Sequence, residues 1–279
     1  MGSYAQIWKA RVALLRPGNG LMAAVATLLG GALLLGPSWI LESAGLAAAF
    51  AAFLITGFGN VLNDIIDVDL DRVAHPDRPL PSGQISVSQA QGFAAILLGF
   101  GLYEAWIAAG WPTLLFAGAN ALVLVLYERG LKQRGWPGNV AVAALVASAF
   151  LFGATATGAD PSGWSSVIAL AGLAFLSNLA RELCKDLEDA EADRHHRTTL
   201  AMQLGPRARW LADGWILLAV AISGLVAWNT SGMWIVALIG ANLAFLGGIA
   251  ARDPGQAQRI WKAAMLLALG AFAWLAALP

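Results

Sequence analysis

Apolar runs of about 20 residues, separated by short polar breaks, fill this chain from end to end. A helix rises 1.5 Å per residue, so a run of that length crosses the ~30 Å hydrocarbon core of a bilayer. The pattern predicts nine such helices, at 19–36, 43–66, 88–109, 112–128, 138–157, 163–186, 207–228, 232–251 and 258–278. The ~10-residue alternation of a membrane β-barrel strand is missing. The expected fold is all-α: a polytopic membrane protein with nine transmembrane helices in one bundle, forming one domain over residues 1–279. The second and sixth runs continue beyond their apolar part into acidic residues, which predicts long helices whose ends leave the hydrocarbon.

Composition agrees, because 58% of residues are hydrophobic and 12% charged, where soluble domains carry roughly a quarter charged. Lys9, Arg11 and Arg16 precede a full-length span, so no cleaved signal peptide is expected. All 17 Lys and Arg lie in the N-terminal tail, in the loops after spans 2, 4, 6 and 8, or at the helix ends bordering them. The opposite loops carry Glu42 and Asp160 and no basic residue. The positive-inside rule then places the N-terminus and these basic loops on the cytoplasmic side of the cell membrane. A net charge of zero gives no basis for a nucleic-acid partner. The single Cys184, in an apolar helix end, reads as a packing thiol.

Two acidic sets change the picture. Asp64, Asp67 and Asp71 follow D-x-x-D-x-x-x-D, and Asp186, Asp189 and Asp193 repeat that spacing 122 positions later. Steps of three and four place each set on one face of a helix. The equal offset suggests two parallel four-helix repeats plus one helix. Each set lies at a cytoplasmic helix end and leads into a basic loop. In the first of these loops, Pro76, Pro79, Pro81 and Gly83 forbid helix continuation, and Ser86 with Gln89 reads as a capping box for span 3.

Clustered carboxylates at a membrane boundary repel one another and are costly to bury unpaired. Mg²⁺, a hard cation that takes carboxylates together with substrate phosphates, answers that demand. Two such sets would hold ions around a diphosphate, with Arg72, Arg78, Lys132, Arg181 and Lys185 neutralising the remaining phosphate charge. One acidic triplet alone is usually a solvated cap; two with one spacing on one side of the membrane are not. Asp69 and Glu188 point off these faces. His75, His195 and His196 lack the helical pairing of a transition-metal site and read as solvated loop residues.

With these residues the chain resembles the UbiA superfamily of intramembrane prenyltransferases. That family carries N-D-x-x-D-x-x-x-D after its second span, here Asn63, Asp64, Asp67 and Asp71, and a second acidic motif after its sixth, here Asp189 and Asp193 with Asp186 ahead. Its R-P-x-P-S-G loop is similar to Arg78-Pro79-Leu80-Pro81-Ser82-Gly83. Finer features look like the branch that forms archaeal-type ether lipids: the stretch from Leu15-Arg16-Pro17-Gly18-Asn19 to Ala24, Tyr127 with Leu131-Lys132 and Gly138-Asn139, and Arg181-Glu182 with Lys185-Asp186, Glu188-Asp189 and Asp193. The resemblance implies a Mg²⁺-dependent enzyme that moves a prenyl group, with geranylgeranyl diphosphate as donor, onto the free hydroxyl of a prenylglyceryl phosphate in the membrane. It implies that Asp67, Asp71, Asp189 and Asp193 are catalytic, that Asn63 orients donor or metal, and that Asn19 and Tyr127 line the pocket. Where the branch has glycines around its last motif Asp, this chain has Ala192 and His195-His196-Arg197. An aromatic acceptor, such as 4-hydroxybenzoate, is the alternative within the family. A divalent-cation transporter is the alternative outside it; against that, the carboxylates lie at cytoplasmic helix ends and the mid-membrane acidic chain of a transport path is missing, with Glu104, near the outer end of span 3, the one isolated candidate.

Overall fold

A computed structural model describes residues 4–190, 199–228 and 234–276, and all regular structure in them is helical. The helices are α1 (Tyr4–Leu15), α2 (Pro17–Leu35), α3 (Ser43–Ile66), α4 (Val68–Ala74), α5 (Val87–Ala109), α6 (Trp111–Leu126), α7 (Trp136–Ala156), α8 (Ser165–Glu188), α9 (Leu200–Leu204), α10 (Arg207–Trp228), α11 (Trp234–Ala250) and α12 (Pro254–Ala276). Among the described residues, seven segments are long and apolar enough to cross a membrane: α2, α3, α5, the run Trp111–Arg134, α7, α8 and Arg207–Ala227. The chain is therefore a multi-pass integral membrane protein. α11 and α12 lie where the eighth and ninth spans are expected, and the apolar part of α11, Ile235–Ala250, is shorter than the seven.

Three details differ from the sequence expectation. The N-terminal tail is helical, because Ala10 and Leu14 on one side of α1 are buried against α3. The second span does not carry its acidic set on one straight helix: α3 ends at Ile66, Asp67 sits at φ −85° and ψ 4°, and α4 starts at Val68. Past Ile66 the chain is largely exposed, at Asp69, Leu70, Arg72 and Val73, so burial no longer supports a continuous rod. Backbone bonds from Asp67 to Asn63 (2.9 Å) and from Asp71 to Asp67 (2.8 Å) hold the bend. The fourth span leaves α6 through a wide π turn at Tyr127–Leu131 and a 3₁₀ turn at Lys132–Arg134, ending where Gly135 takes φ 68°.

The chain forms two compact units, residues 1–31, 39–129 and 152–158, and residues 32–38, 130–151 and 159–279. In the first, one stretch of α3 packs Leu54, Phe58 and Val61 against Leu14 of α1 and Leu97 of α5. Another packs Ala47, Ala48 and Ala51 against Trp39, Ala105 and Phe152. Small residues let helices approach closely where lipid supplies no hydrophobic drive. Gly153 shows this at its limit, since any Cβ there would strike the Thr27 carbonyl oxygen. The expected capping box forms at α5, with Ser86 Oγ accepting from Gln89 N and Gln89 Oε1 from Ser86 N.

In the second unit, α8 packs Ala180, Leu183 and Cys184 against Ala208, Ala212 and Ile216 of α10 and Ala257 and Trp261 of α12. Cys184 is a buried free thiol, as its setting suggested. Arg209 pairs with Asp213 at 2.9 Å and donates to the carbonyls of Gly248 (2.8 Å) and Ile249 (3.0 Å). It thereby satisfies the end of α11, whose last carbonyls have no intrahelical donor.

Candidate functional site

The first acidic set is built on the end of α3, on α4 and on the proline-stiffened loop behind them. Asp64 is 4% exposed, yet its carboxylate keeps water-like support from two guanidinium groups. Arg16 donates to its Oδ1, and Arg78 Nη1 lies 3.9 Å from the same oxygen. Arg16 does this from a left-handed backbone at φ 48°, directly before Pro17, a conformation that costs an L-residue roughly 1–2 kcal/mol. Such strain persists where the surroundings demand it, here a cation beside a buried acid. Asp71, also buried, accepts from Arg78 Nη1 at 2.6 Å, so the loop does fold back over its acidic helix.

Asp67 is held separately. The Asn63 amide donates one hydrogen bond to Asp67 Oδ2 and a second to Glu128 Oε2, both at 3.0 Å. Glu128 is buried on the π turn, a distortion often found at functional sites. Tyr127 begins that turn, and Asn19 lies 3.4 Å from Asn60 Oδ1, whose own amide donates to the Leu15 carbonyl. Arg72 is not brought to this group. It is exposed and pairs with Asp69 at 2.6 Å, so Asp69 indeed points away.

The second set stands on the end of α8. Asp186 is buried and accepts from Asn139 Nδ2 at 2.9 Å, while Asp189 is the C-terminal cap residue of the helix. Asn139 is placed by the start of α7, where Gly138 lies so close to the preceding turn that a Cβ would meet the Leu131 carbonyl at 2.7 Å. Lys132 stands on that turn, and Lys185 is exposed in the last turn of α8. Arg181 pairs with Glu182 at 2.5 Å. Glu188 faces the start of α12 and accepts from Gln258 at 3.3 Å, off the acidic face as expected. Asp193, Ala192, His195 and His196 lie outside the described residues.

Sequence reading gave no site role to Arg16, Asn60, Glu128 or Asn139, although Arg16 and Asn139 stand in the stretches that carry the branch resemblance. For one pair a signal was there: Pro17-Gly18-Asn19 recurs as Pro137-Gly138-Asn139, 120 positions later. Among the described residues no three His, Cys, Asp or Glu side chains converge as a metal site. The chemistry of the donors still fits a hard cation, since both sets offer carboxylate oxygens and the buried Asp64 and Asp71 are each partnered by positive charge.

The UbiA prenyltransferase family pattern matches residues 23–276. A digeranylgeranylglyceryl phosphate synthase of Methanoculleus marisnigri is 36% identical over 272 residues, covering 92% of this chain and 95% of that protein. A solved structure described as digeranylgeranylglyceryl phosphate synthase in membranes is 31% identical and superposes with a TM-score of 0.76 over 97% of this chain and 99% of its own. A UbiA homolog from Archaeoglobus fulgidus, bound to GPP and Mg²⁺, shares the fold at 19% identity, with a TM-score of 0.73 over 96% of this chain and 99% of that one.

Proposed function

The chain belongs to the UbiA prenyltransferase family, and from that premise we propose that it transfers a geranylgeranyl group from geranylgeranyl diphosphate to the free hydroxyl of geranylgeranylglyceryl phosphate. The products are diphosphate and a diether phosphate of archaeal-type ether-lipid synthesis. What carries this reading is the near full-length similarity to digeranylgeranylglyceryl phosphate synthases, joined to the buried, hydrogen-bonded Asp64, Asp71 and Asp186 of the two acidic sets. Membership in this family makes the protein an enzyme, and the ion-transporter reading falls.

In the reaction the bond from C1 of the donor to the diphosphate oxygen breaks, a bond from C1 to the acceptor oxygen forms, and the hydroxyl proton leaves. Mg²⁺ supplies Lewis-acid stabilisation of the departing diphosphate. Asp64, Asp67, Asp71, Asp186, Asp189 and Asp193 are the residues that would hold it. Asn63 orients the Asp67 carboxylate, as its 3.0 Å bond supports. Arg78, Lys132 and Lys185 oppose the charge that develops on the diphosphate oxygens, while Arg181, further back along α8, is a phosphate-binding residue apart from them. Asn19 and Tyr127 border the reacting ends. The apolar helices keep water from the allylic cation.

On this reading the whole chain is one transmembrane domain of nine spans, with α11 and α12 as the eighth and ninth and with both acidic sets on the cytoplasmic side. The distribution of Lys and Arg supports that orientation. The test offers purified protein, Mg²⁺ and labelled geranylgeranyl diphosphate a choice between geranylgeranylglyceryl phosphate and 4-hydroxybenzoate. Labelled diether phosphate is the expected product. Prenylation of the aromatic acid alone would refute the acceptor assignment.

A further inference from the structure

α8 has two contrasting faces. Ala180, Leu183, Cys184 and Leu187 belong to the apolar cluster with α10 and α12. At steps of three and four around the other side run Asn178, Arg181, Glu182, Lys185 and Asp189, with Asp186 at the edge. This polar face continues from the carboxylates back into the membrane-spanning length of the helix, where polar residues are costly and mark function. Two of its donors have no hydrogen-bond partner among the described residues. Asn178 is 5% exposed, and neither its Nδ2 nor the buried Nε of Arg181 has a hydrogen-bond partner among the described residues. Glu182 engages Nη1 of the same guanidinium at 2.5 Å, which fixes its plane and leaves the Nε–H edge open.

Folded proteins rarely leave buried donors unsatisfied, and those that remain call for a bound partner. Here that partner must accept hydrogen bonds and carry negative charge, because one donor is an amide and the other a cation. Along the helix axis Arg181 and Asn178 lie about 8 and about 12 Å from Asp186. That offset separates them from the end of α8 assigned to the donor's diphosphate. We propose that Asn178 and Arg181 form the subsite for the phosphate group of the acceptor, a proposal that rests on the prenyl-transfer reading above. Arg181 supplies charge and its Nε–H, and Asn178 a neutral N–H that selects an oxyanion without adding charge. The pair makes the enzyme specific for a phosphate-bearing acceptor.

The experiment measures binding of prenylglyceryl phosphate and of its phosphate-free alcohol to the full-length protein in nanodiscs with Mg²⁺, alongside the KM of donor and acceptor. Wild type is expected to bind the phosphate at least tenfold more tightly than the alcohol. Asn178→Ala and Arg181→Gln should each lose at least tenfold in phosphate binding, and Asn178→Asp more, since it sets an anion against the ligand. Donor KM and alcohol binding should stay within twofold. Arg181→Lys, with charge and bulk retained, provides the readout should Arg181→Gln not fold, and is expected to lose less than Asn178→Asp. Unchanged phosphate affinity in these variants, or donor and acceptor KM rising together, overturns the subsite while leaving the transfer reaction intact. A wild type that neither binds nor prenylates prenylglyceryl phosphate overturns both.

Discussion

The ends of α3 and α8 solve one problem in two ways. Each buries the first aspartate of its set, Asp64 at 4% and Asp186 at 5% exposure, and each draws a partner from the segment around a Pro-Gly-Asn. At Asp64 that partner is Arg16, directly before Pro17; at Asp186 it is the amide of Asn139, the last residue of the motif. A guanidinium supplies charge and hydrogen bonds, whereas an amide supplies a hydrogen bond alone. The glycines differ to match. Gly18 has nothing within 4 Å of a notional Cβ, while Gly138 lets α7 sit against the Leu131 carbonyl and so bring Asn139 within reach. A repeated sequence element thus secures repeated burial, and its surroundings choose the electrostatics.

The largest effect should erase the difference between the halves. Asp67→Ala and Asp189→Ala are each expected to abolish Mg²⁺-dependent diphosphate release without shifting the thermal unfolding midpoint by more than a few degrees. Full turnover in either variant would remove that half from the site. Next comes Glu128→Ala, expected to cut diphosphate release about tenfold, or roughly 1.4 kcal/mol, because Asn63 loses the acceptor that aims it at Asp67. Glu128→Gln keeps an acceptor oxygen and should recover most of the activity, and no recovery would make the carboxylate charge the essential feature.

Stability separates the two partners. Arg16→Ala leaves the buried Asp64 carboxylate with Arg78 at 3.9 Å and should cost about 2 kcal/mol, below the 3–5 kcal/mol of a fully buried pair because Arg16 is partly exposed. Arg16→Gly should recover about 1 kcal/mol of that loss, since glycine accepts the left-handed backbone. Asn139→Ala removes only a neutral donor and should cost about 1 kcal/mol. Chemical denaturation in detergent ranks the three, and Asn139→Ala as the most damaging would contradict the contrast. Asp160, exposed in the loop before α8, is the control. The backbone N–H of Ser162 holds its carboxyl below the usual range. Its contribution is therefore present above the ordinary carboxylate pKa and fades as pH falls through the lowered folded value. Asp160→Asn should lower the thermal midpoint slightly at pH 7 and not at all at strongly acid pH.

The spanning helices were readable because bilayer thickness sets their length: α3 matches its expected limits, and α2, α5 and α7 fall within two residues of theirs at each end. The capping box of α5 is equally local, needing only Ser86 and Gln89. α1 was hidden because only two of its described side chains, Ala10 and Leu14, are fully buried, too few to set a helical period. The bend at Asp67 and the π turn at Tyr127 have no periodicity to announce them. The roles of Arg16, Glu128 and Asn139 were hidden for a related reason, since each meets its partner across 47 to 65 positions of chain.

By itself the sequence determined the class of protein, the placement of its acidic sets at helix ends and the demand for a hard cation. These follow from hydrophobic length, charge distribution and helical spacing, all of which act within a few turns. The tertiary structure alone decided which donor serves which carboxylate: Arg16 for Asp64, Arg78 for Asp71, Asn63 between Asp67 and Glu128, Asn139 for Asp186. It also left Asn178 and Arg181 with donors that no described residue satisfies. Those pairings depend on how neighbouring helices pack, where steric fit chooses among several polar partners that the linear pattern makes equally available.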